Sequence, residues 1–380
     1  MRKTYNFVPG PTPVPDAVNR RMSEPVLSHR SSEFSQLLGR VTEKLKVLFQ
    51  TQNDVLILTA SGTGAMEAAV VNLLSPGDQV IALSSGKFGD RWIELCKTYG
   101  VNPTVVTAPW GEAVAPAAVE QVLSSSGQVK VLFATQSETS TGVLHDIEAI
   151  GKIARRHGCL FVVDAVSGLG ANPLPSDEWG VDVVVTGSQK GLMLPPGLGF
   201  ISVSQKAWAY VEQAGIPSYY LSLKRAKDSL AKGYTPYTPA VSLLVGLDVA
   251  LIQICDVGLD TVLAHHARLA SATRAGITAL GLHVFAQRPS NVLTSVALPH
   301  DLDGNALLKV IKSECGVTIA NGMEQFRGKV LRIAHLGYDV SPYDVLIALS
   351  ALEHGLLRLN FPFEPGAGIA AAQRHFLDSL

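Results

Sequence analysis

One lysine stands alone in an apolar stretch of this chain, where it has the setting of a nucleophile. Lys190 lies within TGSQKGLMLPPGLGFISV, residues 186–203, and no carboxylate occurs in that stretch. An amine buried there has a lowered pKa, because burial disfavours its charged form, and a neutral amine can attack a carbonyl group. A lysine on a surface loop is the alternative, although the neighbours of such a loop would normally be polar. The stretch therefore indicates a reactive lysine.

Two further motifs have the residue types of ligand-binding sites. SGTGAMEAA, residues 61–69, lies between a predicted strand and a predicted helix, where backbone amides, hydroxyl groups and the helix dipole suit a phosphate. A plain turn with a serine or threonine cap explains that motif equally well when it is taken alone. Asp164 ends the apolar run of FVVDAVSGLG at a sheet edge where open α/β folds bind ligands. Taken alone, a turn or capping aspartate is the better explanation.

An alternation of strands and helices between residues 54 and 203 positions these motifs. Apolar, β-branched runs alternate with amphipathic segments, which is typical of crossover connections in a mainly parallel sheet. Asp164 and Lys190 each follow such a run and are 26 residues apart, which is enough for their strands to end at the same edge. The predicted strands are DVLILTA, QVIALSS, KVLFATQ, CLFVVDA, VDVVVTG and LGFISV. We expect an α/β fold.

The pattern after residue 203 is less regular. It predicts a helix at KAWAYVEQAG, a polar loop at SLKRAKDSLAKGYTPYTPA without core pattern, and a long apolar helix from residue 240. Helices and strands of a smaller α+β domain follow. The predicted organisation is an N-terminal arm at residues 1–20, a large α/β domain at 21–258 and a small C-terminal domain at 259–380.

Composition restricts the classes of partner. Among 380 residues, 31 basic and 32 acidic side chains leave a net charge of -1, which provides no general attraction to nucleic acid or anionic lipid. The N-terminus has no apolar signal core, and the apolar run at residues 240–255 contains Asp248, so we expect a cytoplasmic protein without a membrane span. Cysteines 96, 159, 255 and 315 lack metal-site spacing and are expected to be core thiols.

The motifs together resemble the class V group of fold-type I enzymes that use pyridoxal 5'-phosphate (PLP). Four of them occur in register, and ordered motifs are more specific than any single one: SGTGAMEA, SETSTGV, VVDAVSGLG and GSQKGLMLPPGLGF. Four others extend the resemblance over nearly the whole chain: PGPTPVP, HRSSEF, TPYTPAVS and GKVLRIAHLG. Within that group the chain is most similar to the alanine-glyoxylate and serine-pyruvate aminotransferases. The resemblance implies a mainly parallel large-domain sheet flanked by helices, with a smaller C-terminal α+β domain.

The resemblance assigns cofactor contacts to individual residues. Lys190 would bind PLP covalently and move a proton once substrate has displaced it, and Asp164 would keep the pyridine nitrogen protonated. Phe88 would stack on the cofactor ring, where many relatives have tryptophan, and Val166 would pack on the other face. Thr139 would lie near the phenolic oxygen. The phosphate would be bound by Ser61, Gly62, Thr63 and Gln189.

The resemblance also implies contacts to the substrate and to a second subunit. Arg332 would bind the substrate carboxylate as a bidentate pair, and a lone arginine in the apolar strand RIAHL needs such a partner. Gly10 belongs to the segment PGPT, which lines the substrate pocket in this family. Thr235 and Thr238 match residues that reach the phosphate of a neighbouring subunit, which implies a homodimer with a composite active site. A rigid proline turn is the alternative for Thr235.

The function implied is an aminotransferase with a ping-pong cycle, in which alanine or serine gives its amino group to the cofactor and glyoxylate or another small 2-oxo acid receives it. A cysteine desulfurase or another class V lyase is one alternative, but Cys315 lies at a predicted helix-to-strand junction rather than in a long loop. A non-catalytic subunit of a hydrogenase-type complex is another, because cyanobacterial-type relatives have been given that name. No second arginine occupies a motif position for a distal carboxylate, which disfavours aspartate and glutamate as donors.

Overall fold

The computed structural model of the chain describes residues 4–337 and 340–378. The strands are β1 (Tyr5–Phe7), β2 (Asp54–Leu58), β3 (Val80–Ser84), β4 (Thr104–Thr107), β5 (Val131–Thr135), β6 (Ser137–Glu138), β7 (Val143–Leu144), β8 (Leu160–Asp164), β9 (Val183–Gly187), β10 (Gly199–Val203), β11 (His283–Val284), β12 (Leu293–Ala297), β13 (Val317–Asn321) and β14 (Val330–Ala334). The helices are α1 (Asp16–Met22), α2 (Ser32–Phe49), α3 (Gly62–Leu73), α4 (Lys87–Thr98), α5 (Pro116–Ser125), α6 (Ile147–Arg156), α7 (Ser176–Trp179), α8 (Gln205–Val211), α9 (Leu223–Leu230), α10 (Val241–Val257), α11 (Leu259–Ala279), α12 (Gly304–Val310), α13 (Pro342–Arg358) and α14 (Ala367–Asp378).

Seven strands form a central sheet in the order β2-β10-β9-β8-β5-β3-β4. Pairing is parallel from β9 through β8, β5 and β3 to β4, whereas β10 runs antiparallel to β9 and β2. The six strands predicted in this region are confirmed, and so is the mainly parallel α/β fold. Sequence patterning misses β4, because three of the four residues in this edge strand are exposed and no buried apolar run marks it.

The strands are apolar because helices cover both faces of the sheet. Helices α2, α6 and α10 pack on one face, and α3, α4 and α8 pack on the other. Strands β8 and β9 are parallel neighbours, so their carboxyl ends lie side by side. Asp164 is the last residue of β8, and Lys190 follows the end of β9 by three residues. The topology therefore brings both residues to one edge of the sheet.

A second sheet of five strands has the order β1-β13-β14-β12-β11. Strand β1, from the N-terminal arm, pairs in parallel with β13 and matches Tyr5 with Val317. Most of the helical residues in the apolar core beside this sheet come from α11, α13 and α14. The division of the chain at residues 20 and 258 stays a prediction, but the arm is a strand of the C-terminal sheet and leads from it directly to the loop of Lys190.

The segment predicted as a polar loop before residue 240 contains helix α9. Ser222 caps this helix by accepting a hydrogen bond from the Arg225 N–H, and Leu223 and Ala226 are its buried residues. With so few buried positions among eight residues, the apolar periodicity is too weak to mark a helix. The prediction for the cysteines is right for Cys96 and Cys159, which are buried, whereas Cys255 and Cys315 are only half-buried.

The apolar helix predicted from residue 240 is confirmed as α10. Within residues 4–337 and 340–378, no helix taken singly has the length and apolar character needed to cross a bilayer. Helices α10 and α11 reach that measure only as a pair, and the pair is bent by 87°.

Candidate active site

Lys190 is half-buried in the loop that follows β9. Its amine donates a hydrogen bond to the Pro9 carbonyl, a neutral partner that does not require the amine to stay charged. The pKa of Lys190 is lowered from 10.5 to about 8, mainly by burial and then by the positive charge of Arg332, against an opposing effect of Asp164. This environment makes a neutral, nucleophilic amine accessible near neutral pH.

Residues 9–12 form an N-terminal segment that lies directly against the lysine. Thr12 donates from its N–H to the Gln189 carbonyl at 3.1 Å and from its hydroxyl to the Lys190 carbonyl at 3.0 Å. Gly10 has a φ of +120°, and a Cβ at that position would lie 2.5 Å from the Lys190 Nζ. Only glycine meets both conditions, which accounts for this residue beside the reactive amine.

Asp164 is a buried carboxylate at the carboxyl end of β8, with 3% of its surface exposed. It accepts a hydrogen bond from the Val166 N–H at 2.7 Å. The pKa of Asp164 is raised to about 7, mainly by burial and also by the charge of Glu138, while the hydrogen bond from the Val166 N–H and the charges of Arg91 and Lys190 act in the opposite direction. The nearby positive charges do not offset the burial of Asp164, so this carboxylate is suited to binding a further cation.

The Ser61, Gly62 and Thr63 motif forms the start of α3. Ser61 caps the helix and accepts from the Gly64 N–H, and a Cβ on Gly62 would lie 2.6 Å from a Val166 methyl group. The Gln189 amide lies beside this helix start. Both groups border the Cα of Gly187: a Cβ added there would lie 2.9 Å from the Gln189 Oε1 and 3.1 Å from the Gly62 nitrogen. Backbone amides and a helix dipole thus face the lysine loop.

Phe88 lies in the first turn of α4. Two charged residues contact it, Arg91 and Glu138, and the sequence analysis predicted neither. The Arg91 guanidinium lies 4.9 Å from the centroid of the Phe88 ring and donates to the Thr63 hydroxyl at 3.1 Å. Glu138 accepts a hydrogen bond from the Phe88 N–H at 2.9 Å. The spacing of one helical turn between Phe88 and Arg91 is the signal that could have revealed the arginine.

Arg332, on β14, reaches the site from the second sheet. Its Nε donates to the Asn321 carbonyl and its Nη1 to the Thr139 carbonyl, each at 2.9 Å. Burial lowers the pKa of Arg332 to about 10, and Glu138 opposes that shift. Both hydrogen-bond partners are neutral carbonyls, so the guanidinium is oriented while its charge is left for an anion.

Thr235 and Thr238 lie in a different place from the other predicted residues. They line a small cavity with Thr59, Tyr220 and Tyr237, and the Thr235 hydroxyl donates to the Tyr237 carbonyl at 2.7 Å. That bond is the kind expected of a local turn. The contact of these threonines with a neighbouring subunit stays a prediction.

The chemistry of the donors fits PLP. The Gln189 Oε1 is buried without a hydrogen-bond partner among the residues described. Rotation of the amide by 180° puts its N–H₂ donor in that place, so the side chain next to the start of α3 can donate to a phosphate. Asp164 suits a protonated ring nitrogen, and Lys190 suits an aldehyde carbon. The same edge therefore carries a group for each end of the cofactor.

Comparison with known proteins identifies the family. Residues 4–333 match the model of the family described as aminotransferase class-V. A relative named soluble hydrogenase, small subunit, from a Synechococcus strain, is 45% identical, and the alignment covers 98% of each chain. L-aspartate--glyoxylate aminotransferase from Paracoccus denitrificans is 38% identical, with 97% of this chain and 95% of the relative covered.

The fold is also similar to that of solved aminotransferase structures. The crystal structure of pyridoxamine-pyruvate aminotransferase from Mesorhizobium loti superposes with a TM-score of 0.96 at 31% identity, covering 100% of this chain and 98% of that one. PLP is accordingly the cofactor, and the architecture is that of fold type I. By the family match over most of its length, the chain belongs to the class V aminotransferases.

Proposed function

We propose that this enzyme transfers an amino group from alanine or serine to glyoxylate or another small 2-oxo acid in a ping-pong cycle. The observation that carries the proposal is that Asp164, on the neighbouring strand end, and Arg332, from the second sheet, both lie close enough to Lys190 for their charges to act on its amine. The acceptors named for the Paracoccus and Mesorhizobium relatives, glyoxylate and pyruvate, are both small 2-oxo acids. A compact substrate with one carboxylate suits a site with one arginine oriented by neutral carbonyls.

The proposed cofactor contacts are those that the family resemblance implies. The start of α3 and Gln189 would bind the phosphate, Phe88 and Val166 would enclose the ring, and Thr139 would lie near the phenolic oxygen. In a homodimer, Thr235 and Thr238 of the partner subunit complete the phosphate site. PLP, once bound, supplies an electron sink for the negative charge that develops at the substrate Cα.

The side chains of this protein perform the remaining steps. Arg332 binds the substrate carboxylate and thereby orients the Cα hydrogen toward the lysine. The Lys190 Nζ, neutral after the substrate amine has displaced it, takes up the proton from the Cα. Asp164 holds a proton on the ring nitrogen, and the N-terminal segment at residues 9–12 shields the lysine from water.

Capture of PLP by the cofactor-free protein is expected to accelerate with pH until about pH 8 and then to level off. The neutral amine is the nucleophile, so the rate follows the deprotonated fraction of Lys190, whose pKa is lowered to about 8. Stopped-flow absorbance across a pH series measures this rate. A rate that continues to climb toward pH 10 would show that the lysine has its ordinary pKa and would contradict the prediction.

Arg332→Lys is expected to raise the KM for the amino donor by about 10- to 100-fold, because an ammonium cannot form the bidentate pair with a carboxylate. PLP binding should be retained, since Arg332 is assigned to the substrate. Steady-state kinetics with the wild type and with Arg374→Lys, on the exposed face of α14, provide the comparison. An unchanged KM in Arg332→Lys would remove Arg332 from the substrate site.

A half-reaction screen tests the function itself. The PLP-loaded protein is mixed separately with alanine, serine, aspartate and glutamate, and absorbance follows conversion of the cofactor to its amine form. We expect alanine or serine to react fastest. If no amino acid reacts, and borohydride traps no PLP on Lys190, the aminotransferase proposal fails and a non-catalytic role, of the kind suggested by the name of the Synechococcus relative, is favoured.

Aspartate is the second candidate donor. The sequence analysis found no second arginine at a motif position for the distal carboxylate of such a donor. Arg91 of α4, however, contacts Thr63 and Phe88 and so brings a second guanidinium to this region. The Paracoccus relative is named for aspartate as its donor. Faster conversion by aspartate than by alanine and serine would overturn the proposed donor and leave the rest of the mechanism in place.

A further inference from the structure

Glu138 is a fully buried carboxylate beside the active site, and the steps described above do not use it. None of its surface is exposed. One oxygen, Oε2, accepts from the N–H groups of Phe88 and Gly89, each at 2.9 Å. The other, Oε1, accepts from the Ser140 N–H at 3.0 Å and the Ser140 hydroxyl at 2.5 Å. Four donors converge on this one side chain, three of them backbone N–H groups that cannot rotate away.

The first element that Glu138 holds is helix α4. The residue before this helix, Gly86, has no side chain to cap it. The Lys87 N–H, the first of the helix, donates to the Ser140 hydroxyl at 3.1 Å, and Glu138 of strand β6 accepts the next two, from Phe88 and Gly89. Glu138 thus satisfies donors that helices normally satisfy with a residue of their own. The negative charge also lies at the positive end of the helix dipole. Phe88 begins the cofactor-facing turn at this point.

The second element is the arginine of the substrate site. Thr139 follows Glu138 directly, and its carbonyl accepts from the Arg332 Nη1 at 2.9 Å. The carboxylate also fixes the next residue, Ser140, through two hydrogen bonds. The backbone that orients Arg332 is therefore held on both sides of Thr139 by the side chain that caps α4.

Gly86 provides an independent sign that the carboxylate must approach closely. Its φ of 165° is extended and open to any residue, so the backbone does not require glycine here. A Cβ on Gly86, however, would lie 2.7 Å from both the Cγ and the Cδ of Glu138, and closer still to the Ser140 hydroxyl. The space in front of α4 is thus left free for the glutamate and for the serine that is bonded to it.

We propose that Glu138 is a positioning residue that sets Phe88 and Arg332 relative to each other, and so links the stacking of the cofactor to recognition of the substrate carboxylate. This inference rests on the proposed roles of those two residues. Burial raises the pKa of Glu138, while the four donors favour its ionised form. Only the carboxylate offers acceptors to both groups of donors at once.

Glu138→Gln keeps the volume and removes one acceptor oxygen, so the new amide N–H₂ must face either the N–H groups of α4 or that of Ser140. A buried donor left without an acceptor is expensive. We expect the Kd for PLP and the KM for the amino donor each to rise roughly 10-fold or more, and the circular dichroism band of the bound cofactor to weaken. Glu43→Gln, at an exposed glutamate of α2, should match the wild type in all three measurements.

The outcomes separate positioning from stability. If Glu138→Gln lowers the Tm but leaves the Kd, the KM and the dichroism of the folded enzyme unchanged, Glu138 is merely structural and the inference is overturned. If that variant does not fold, Gly86→Ala replaces it, because the added methyl displaces the Ser140 hydroxyl and the carboxylate bonded to it without removing either. Smaller changes of the same three quantities are then expected, and wild-type values would overturn the inference.

The test also separates this inference from the proposed function. A wild type that neither binds PLP covalently nor reacts with any amino acid refutes the function, and the positioning role falls with it. An active wild type beside an equally active Glu138→Gln variant, with unchanged constants, refutes only the role of Glu138.

Discussion

Lys190→Ala is expected to lower the rate of amino transfer by roughly 10⁴-fold or more, because the proposed mechanism assigns to this one side chain both the covalent attachment of PLP and the proton transfer at the substrate Cα. The structure supports this expectation through the lowered pKa of the amine, about 8, and through its position between the N-terminal segment and the start of α3. Turnover with the best donor of the half-reaction screen measures the loss. Borohydride reduction followed by peptide mass analysis shows whether PLP remains attached.

The matched control for this variant is Lys152→Ala, at a lysine of α6 whose side chain is 63% exposed. It should retain wild-type turnover and the borohydride adduct at Lys190. The folded state of Lys190→Ala should be preserved, since the lost amine donates to the Pro9 carbonyl and the buried Asp164 keeps its hydrogen bond from the Val166 N–H. An adduct that persists at another lysine, together with near-normal turnover, would contradict the assignment.

Asp164→Asn is expected to reduce kcat by about 10²- to 10³-fold while PLP stays attached to Lys190. The amide can still accept from the Val166 N–H, so the fold of the β8 end is conserved, but it carries no charge to keep the ring nitrogen protonated. The electron sink is weakened as a result. The KM for the donor should change little, because Arg332 is untouched. Single-turnover kinetics isolate the chemical step.

Asp256→Asn, at the exposed end of α10, is the control for loss of an aspartate. The effect of Asp164→Asn should also be distinguishable from loss of cofactor, because the borohydride adduct must remain at full occupancy. A variant that keeps both the adduct and the wild-type rate would show that Asp164 is not the partner of the ring nitrogen. Another residue would then have to balance the charge of the ring nitrogen, and Glu138, a buried carboxylate whose charge acts on Asp164, is a candidate.

Features that depend on a short stretch of sequence could be predicted, whereas features that depend on contacts between distant segments could not. The strands of the large sheet are predictable because burial on both faces imposes continuous apolar runs. Strand β4 and helix α9 are not, because three of the four residues of β4 are exposed and only two of the eight residues of α9 are buried, so neither has a strong apolar pattern. Lys190 and Asp164 are visible as isolated charges next to apolar runs, and parallel topology then requires them to share an edge.

Other residues of the site carry no such local mark. Glu138 stands among hydroxyl residues in SETSTGV, where a glutamate has many possible uses, and its four donors come from α4 and from its own turn. Gly10 is one of 34 glycines, and its fit against the Lys190 amine depends on an N-terminal segment 180 residues away along the chain. Contacts between distant segments leave no periodicity in the sequence of either.

The order of residues alone thus determines the chemical parts of this protein: an α/β sheet, a lysine and an aspartate at its carboxyl edge, and a helix start suited to phosphate. The apolar pattern of each short stretch reflects its burial and its periodicity, so these parts can be predicted from the sequence. The tertiary structure decides how they are arranged. It places Arg332 from the second sheet against the Thr139 carbonyl, and it packs residues 9–12 over Lys190. These arrangements depend on packing between elements far apart in the chain, which only the folded molecule brings together.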